Sequence, residues 1–384
     1  MAANYLPYEP QQMLLLPEAI QDWLAEGHLA HFIGDTVDTL DLSALHARYD
    51  KDGPRNQPFH PAMMVKVLVY GYATGVFSSR KIARKLHEDV AFRVLAAGNF
   101  PAHRTIREFR AFHLKELSEL FVQVVRLARE MGLVRLGTIA VDGTKLKANA
   151  SRHKAMSYGH MVKAEAELKA QIEVLLNKAR AADETEPKDG RYKRPFGVPE
   201  DKDQDNFTDP DSRIMPRAGG GFDPAYNAQT AVDETAHIIV AAELINNASD
   251  ARELPTMVAA VKDALGAYPE QTLADAGYRS EAVFEALAGC TELVVAIGRE
   301  DKEHRAINEA SLPLTAAMVT KMKTQPAREA YRRRKWLAEP PNGWIKNVLG
   351  FRQFSMRGLH RVQAEWKLVC LALNLRRMAT MQVA

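Results

Sequence analysis

The sequence predicts an α/β chain whose sheet begins only after a helical N-terminal third. Three observations carry this. Residues 1–135 read as helical throughout; from residue 136 short β-rich runs alternate with helix-period segments; and two of those runs, "LGTIAVDG" and "QTLADAG", close on an aspartate. From residue 136 the order is strand, β-hairpin, helix, strand, helix, strand, helix. That is the order of the RNase H-like fold, here with an insertion after the first strand, and the expected domains are 1–135 and 136–384 with the insertion at 150–221.

The elements follow in turn. In "HPAMMVKVLVYGYATGVFSSRKIARKLHEDVAFRVLAAG" the apolar positions recur at helical spacing, and Ser78 or Ser79 can cap "RKIARKL". Pro101 opens and Gly132 closes the next helical stretch. Arg80, Lys81 and Arg84, then Arg104, Arg107 and Arg110, fall on successive turns of two basic helices, which resemble helix-turn-helix readers of DNA; a helical packing domain with a charged exterior gives the same pattern. "AYNAQTAVDE" and "AHIIVAAELI" make a hairpin. Asp250 and Glu253 have the spacing of a capping box before "ARELPTMVAAVKDAL". In the insertion, Met161, Leu168, Ile172 and Leu175 form a seam of roughly heptad spacing, for packing within the chain or for a dimerising coiled coil. The polar, Pro/Gly-punctuated stretch up to Arg213 reads as a mobile surface loop.

Composition narrows the class. Apolar residues make up 46% and charged residues 26%, ordinary values for a globular protein. The N-terminal segment lacks the basic flank of a signal peptide, and no run approaches a membrane span, so a cytoplasmic, nucleoid-associated protein is expected. Cys290 and Cys370 sit among apolar residues, as reduced core thiols do, and no Cys/His spacing suggests zinc. The net charge of +3 hides an asymmetry: from Lys321 onward fourteen Lys/Arg face three acidic residues. A basic face of that size suits a polyanion, although a solvated helix face would look the same.

Asp142 and Asp275 are the informative pair. In this topology their strands are central neighbours, so two carboxylates meet at one end of the sheet. Like charges that close cannot both stay ionised without a counter-charge. A divalent cation supplies it, and hard oxygen ligands suit Mg²⁺ or Mn²⁺. Two such ions need a third carboxylate. Glu339 lies in the cationic "YRRRKWLAEPPNGWIK", with Lys346 two helical turns on along one face. Pro340 and Pro341 directly after Glu339 are expected to bend or restart the helix.

Together these segments resemble the DDE transposases of bacterial insertion sequences, in the branch with a Tyr-Arg-Glu-Lys signature and specifically the insertion-sequence 1182 group. The resemblance spans nearly the whole chain: "HPAMMVKVLVYGYATGVFSSRKIAR", "HRTIREFR", "VDGTKLKANAS", "YNAQTAVDE", "LADAGYRS", "YRRRKWLAEPPNGWIK" and "RGLHRVQAEWKLVCLALNL" each match a motif of that group. It implies Asp142, Asp275 and Glu339 as the metal-binding catalytic triad and Lys346 as the signature lysine. Tyr331 and Arg334 fit with one extra residue before Glu339, which makes Lys335 a competitor for the arginine role. With Arg357 these would position the DNA end. The implied activity is a transposase that binds terminal inverted repeats and uses two Mg²⁺ or Mn²⁺ ions to cut and join DNA, at least as a homodimer on DNA. A structure-selective nuclease on the same fold and a domesticated, non-catalytic DNA-binding protein are the alternatives; a helical scaffold without DNA would leave the cationic C-terminal region unexplained.

Overall fold

The structure is a computed structural model; it describes residues 19–49, 57–151, 155–157, 163, 165, 169, 204–216, 220–298 and 307–382. Among the described residues a short 3-10 turn, Ile20–Trp23, is followed by seven α-helices: α1 Leu29–Thr39, α2 Ser43–His46, α3 Pro61–Ala73, α4 Ser79–Glu88, α5 Val90–Leu95, α6 His103–Phe112 and α7 Leu114–Glu130. α3 is apolar almost all round and correspondingly buried all round. Ser78 stands at the N-cap of α4, but its side chain makes no capping bond.

The sheet then follows as β1 Thr138–Lys147, β4 Arg213–Pro216, β5 Phe222–Asp233, β6 Ile239–Ile245, β7 Gln271–Ala274 and β8 Glu292–Val295; β2 Ala155–Ser157 and β3 Gln204–Asn206 form a separate two-stranded ladder. β5 pairs antiparallel with β1, β4 and β6, and β7 runs parallel to both β1 and β8. This antiparallel half beside a parallel half is the RNase H-like arrangement. Helices α8 Leu254–Leu265, α9 Glu281–Ala286, α10 Pro313–Met322, α11 Gln325–Gly343 and α12 Leu359–Gln382 complete the described chain.

Side chains alternate across a strand, so each strand feeds two layers. Ile139 and Val141 join the large core shared with the N-terminal helices and α12, whereas Ala140, between them, joins a smaller one. That smaller core is a row of Ala140, Leu273 and Val294 across three strands, under Ala327, Ala330, Leu337 and Ala338 of α11. The small alanines allow α11 to lie close on the sheet. On the other face α12 runs against β6, α7 and α3. Asn374 ties it down, accepting from Ile239 N at 2.9 Å and donating to Ile239 O at 2.8 Å.

Two expectations change here. α11 stays helical through Pro340 and Pro341 to Gly343, then widens into a π-helical turn, Trp344–Val348. Each proline removes a donor from the helix ladder, and the wider turn is where the chain accommodates the altered register. The expected surface loop also ends in structure rather than in solvent. Asp209 is fully buried, its Oδ1 accepting from Tyr226 Oη at 2.9 Å and from Gly358 N at 3.0 Å. The rest of that stretch up to residue 203 lies outside the described residues, as do Met161, Leu168, Ile172 and Leu175. Cys370 is buried and Cys290 half-buried, and both are free thiols.

Candidate active site

The parallel register sets Ala140 beside Leu273, and two residues on it brings Asp142 level with Asp275. By the same alternation both carboxylates share the face of Ala140 and Leu273, the face that α11 covers. β1 does not end at Asp142, as the sequence suggested, but runs on to Lys147 against β5. Gly143 therefore lies inside the strand. A Cβ there would stand 2.7 Å from Asp250 Oδ1 and 3.0 Å from Asn227 Oδ1, so the position needs glycine for close approach.

Asp142 meets α11 through two side chains. Its Oδ1 lies 3.8 Å from Arg334 Nη1, and its Oδ2 accepts from Asn342 Nδ2 at 3.4 Å. Burial pushes its carboxyl up to about 6; Arg334 opposes the rise, while Asp275 and Asp250 add to it. Asp275 caps the short turn Ala276–Tyr278, accepting from Gly277 N at 2.9 Å. Arg334 Nε and Asn342 Oδ1 are buried beside Asp142 with no hydrogen-bond partner.

Glu339 is exposed on α11 and lines a cleft of about 450 Å³ together with Asp275, Tyr331, Arg334 and Lys335. Among the described residues no three His, Cys, Asp or Glu side chains stand as a ready metal-ligand set, so Glu339 shares the cleft with Asp275 without closing on the pair. The guanidinium of Arg334 lies 5.6 Å from the Tyr331 ring centre. Lys335 is exposed at the cleft. The π-helical turn sets Lys346 against Thr144, to whose Oγ1 it donates; Thr144 is the next residue along the row of Ala140 and Asp142. Burial pulls the Lys346 ammonium below the usual lysine range. Arg357 is exposed and donates from Nε to Asn149 O at 2.8 Å.

On the N-terminal helices Arg80, Lys81 and Arg84 of α4 and Arg104 and Arg107 of α6 are exposed. α4 and α6 pack together, with the short α5 between them in sequence. Arg110 departs from the expected DNA-contacting set. It is 6% exposed, donates to Tyr72 Oη at 2.5 Å and stands 3.6 Å from Glu365 Oε1. A guanidinium tied into the core in this way cannot present itself to a phosphate backbone.

Asp250 is the residue sequence reasoning placed wrongly. α8 starts at Leu254 with no side-chain cap. Asp250 instead accepts at Oδ1 from Asn227 Nδ2 (2.5 Å), Gln229 Nε2 (2.7 Å) and Lys145 Nζ (3.3 Å). Tyr278, beside Asp275, donates to Gln229 Oε1. One signal was present: Asn227 and Gln229, two apart in a strand buried along most of its length, fall on one face of β5 and need a buried partner. Asn342 gave no comparable signal, because an Asn in a helix has many uses.

A mixed sheet of this order, antiparallel on one side and parallel on the other and flanked by helices, defines an RNase H-like α/β fold. Residues 136–375 match the family model "Transposase DDE domain" and residues 18–111 match "Transposase domain (DUF772)". The chain therefore belongs to the DDE-domain transposases, enzymes of DNA transposition, and is an insertion-sequence transposase. A comparison with curated proteins finds no match. Among solved structures it is similar to the Mos1 transposase paired-end complex with left transposon end, at 13% identity over 86% of each chain and a TM-score of 0.18. It is similar also to the Mos1 strand transfer complex, at 12% identity over 84% of this chain and 81% of that one, with a TM-score of 0.18. At such TM-scores the likeness carries no argument about the present site. Among the described residues no helix is long and apolar enough to cross a membrane.

Proposed function

We propose that this transposase binds the ends of its own element, cleaves DNA there and joins the freed strand to target DNA, with Asp142, Asp275 and Glu339 as its DDE carboxylates. The observation that carries the reading is the parallel pairing of β1 with β7, which sets Ala140 beside Leu273 under α11 and, extended by two residues, supports Asp142 and Asp275 as neighbours on that face. Hydrolysis at the element end frees a 3′-hydroxyl, which then attacks a target phosphodiester and expels a 3′-oxygen of the target strand.

The donor set fits a hard divalent cation. Two carboxylates and the unpartnered Asn342 Oδ1 offer oxygen ligands, and burial leaves Asp142 short of counter-charge. Asp142 and Asp275, with Glu339 from the same cleft, would hold Mg²⁺ or Mn²⁺, two ions in the full reaction. When bound, such ions supply counter-charge for the phosphoryl oxygens and lower the pKa of an attacking oxygen. Arg334 keeps Asp142 closer to its ionised form and, with Tyr331, faces the cleft where an end phosphate would lie. Lys335 is the outer cation, and Lys346 offers a point charge beside Thr144. These residues support membership of the Tyr-Arg-Glu-Lys branch and the insertion-sequence 1182 group, with Arg334 as the signature arginine.

In this reading residues 1–135 recognise the terminal inverted repeats through Arg80, Lys81, Arg84, Arg104 and Arg107. Residues 136–384 cut and join, with 150–221 as an insertion, Arg357 contacts the end, and two copies assemble on DNA in the nucleoid of a bacterial cell. The test is a strand-transfer assay with labelled duplexes carrying the inverted repeats that flank the gene. End-specific nicking followed by joined target products supports the proposal. Cleavage governed by DNA structure, without joining, would identify a nuclease instead.

A further inference from the structure

Asp142 and Thr144 face α11; Gly143 and Lys145 face the other way, as do their cross-strand partners Gln229 and Asn227. Asp250 sits on that second face, behind the aspartate pair. One of its oxygens gathers three donors, Asn227 and Gln229 of β5 and Lys145 of β1. The carboxylate presses so close over Gly143 that a Cβ there would stand 2.7 Å from Oδ1. Its other oxygen reaches toward the turn of Asp275, 3.5 Å from where a Cβ on Gly277 would be. Gln229 closes the ring by accepting from Tyr278 of that same turn. One half-buried side chain thus lies against the residue that follows Asp142, reaches toward the turn that holds Asp275, and bonds the strand that pairs with β1.

We infer that Asp250 is a positioning residue for the aspartate pair, setting the spacing of Asp142 and Asp275 from the sheet face opposite the cleft. Three nitrogen donors converge on one oxygen, an arrangement that suits a carboxylate and not an amide, which offers a weaker acceptor and brings hydrogens of its own. The fixed charge also adds to the negative field in which a cation would bind. Asp250 faces away from the cleft, so it acts through the backbone beside each aspartate and not by touching DNA.

The inference rests on the proposed DDE pair, and the experiment separates the two. Asp250→Asn, Asp142→Asn and wild type are compared in single-turnover end cleavage, in the Kd for end DNA, in Mn²⁺ affinity by calorimetry without DNA, and in Tm. Asp250→Asn is expected to slow cleavage at least tenfold and weaken Mn²⁺ binding at least threefold, with Kd for DNA near wild type and a lowered Tm that still leaves the protein folded at the assay temperature. Normal cleavage and Mn²⁺ binding in Asp250→Asn, with Asp142→Asn inactive, overturn the inference alone. Normal cleavage in Asp142→Asn overturns the underlying site. Should Asp250→Asn fail to fold, Asn227→Ala removes the shortest donor and keeps the charge. It is expected to slow cleavage about threefold at unchanged Kd, and a normal rate in that variant overturns the inference.

Discussion

Replacing Asp142 by Asn should stabilise the metal-free protein, and by an amount that depends on pH. The carboxyl is raised from 3.8 to about 6, with burial as the largest cause. In the pH range between those values the folded state therefore holds a proton that the unfolded state has released. Stability from this group is fully present below pH 4 and is lost as pH rises through 6, the reverse of an ordinary salt-bridged aspartate. A shift of roughly two units at about 1.4 kcal/mol each sets an upper bound of about 3 kcal/mol above pH 7. The attraction of Arg334 is already contained in that net shift, so the bound needs no further deduction for losing it. The assay is urea unfolding of wild type and Asp142→Asn in chelator from about pH 4 to pH 8. The variant should be more stable near pH 8, with the difference shrinking toward pH 4. A variant less stable than wild type at pH 8, or a difference independent of pH, would refute the reasoning that burial strains this carboxylate.

Arg110→Ala should destabilise the chain by about 3–5 kcal/mol, because it leaves the fully buried Glu365 carboxylate without its cation; an unchanged Tm would show that Arg110 is free for DNA after all. Lys346→Ala should weaken end-DNA binding and reduce the salt dependence by about one phosphate contact, with Tm near wild type. A lost Tm with an unchanged salt slope would mean that its bond to Thr144 is purely structural. Gly143→Ala should cost about 1–3 kcal/mol from overpacking against Asp250 and Asn227 and should slow cleavage; a silent substitution would contradict the close packing behind the pair.

The topology was legible because its signals are local. Strand-length runs carrying Asp142 and Asp275, with a hairpin between, leave few ways to build a sheet, and β1 and β7 are neighbours in it as expected. What escaped the sequence depends on contacts between distant residues. Asp250 and Glu253 have the spacing of a cap, yet Asp250 is claimed by Lys145 and by Asn227 and Gln229, residues between 21 and 105 positions away. Arg110 fits the same basic helical pattern as Arg104 and Arg107; only the position of Tyr72 and Glu365 decides that its turn faces inward. Asp209 lies in a stretch whose composition reads as solvent-exposed, and a single Tyr226 hydroxyl and the Gly358 amide bury it. Local propensity described the exposed cations correctly and the buried polar groups poorly, because burial of a charge is set by its partner and not by its neighbours in sequence.

The central claim is that Asp142 and Asp275 act as one catalytic pair. Its most direct test is the single-turnover rate of end cleavage in Mg²⁺ for Asp142→Asn and Asp275→Asn, each measured beside its Kd for end DNA. Both substitutions keep shape and remove charge. The expected result is a loss of at least about a hundredfold in rate for each, with end binding retained. Near-normal cleavage by either protein would contradict the account.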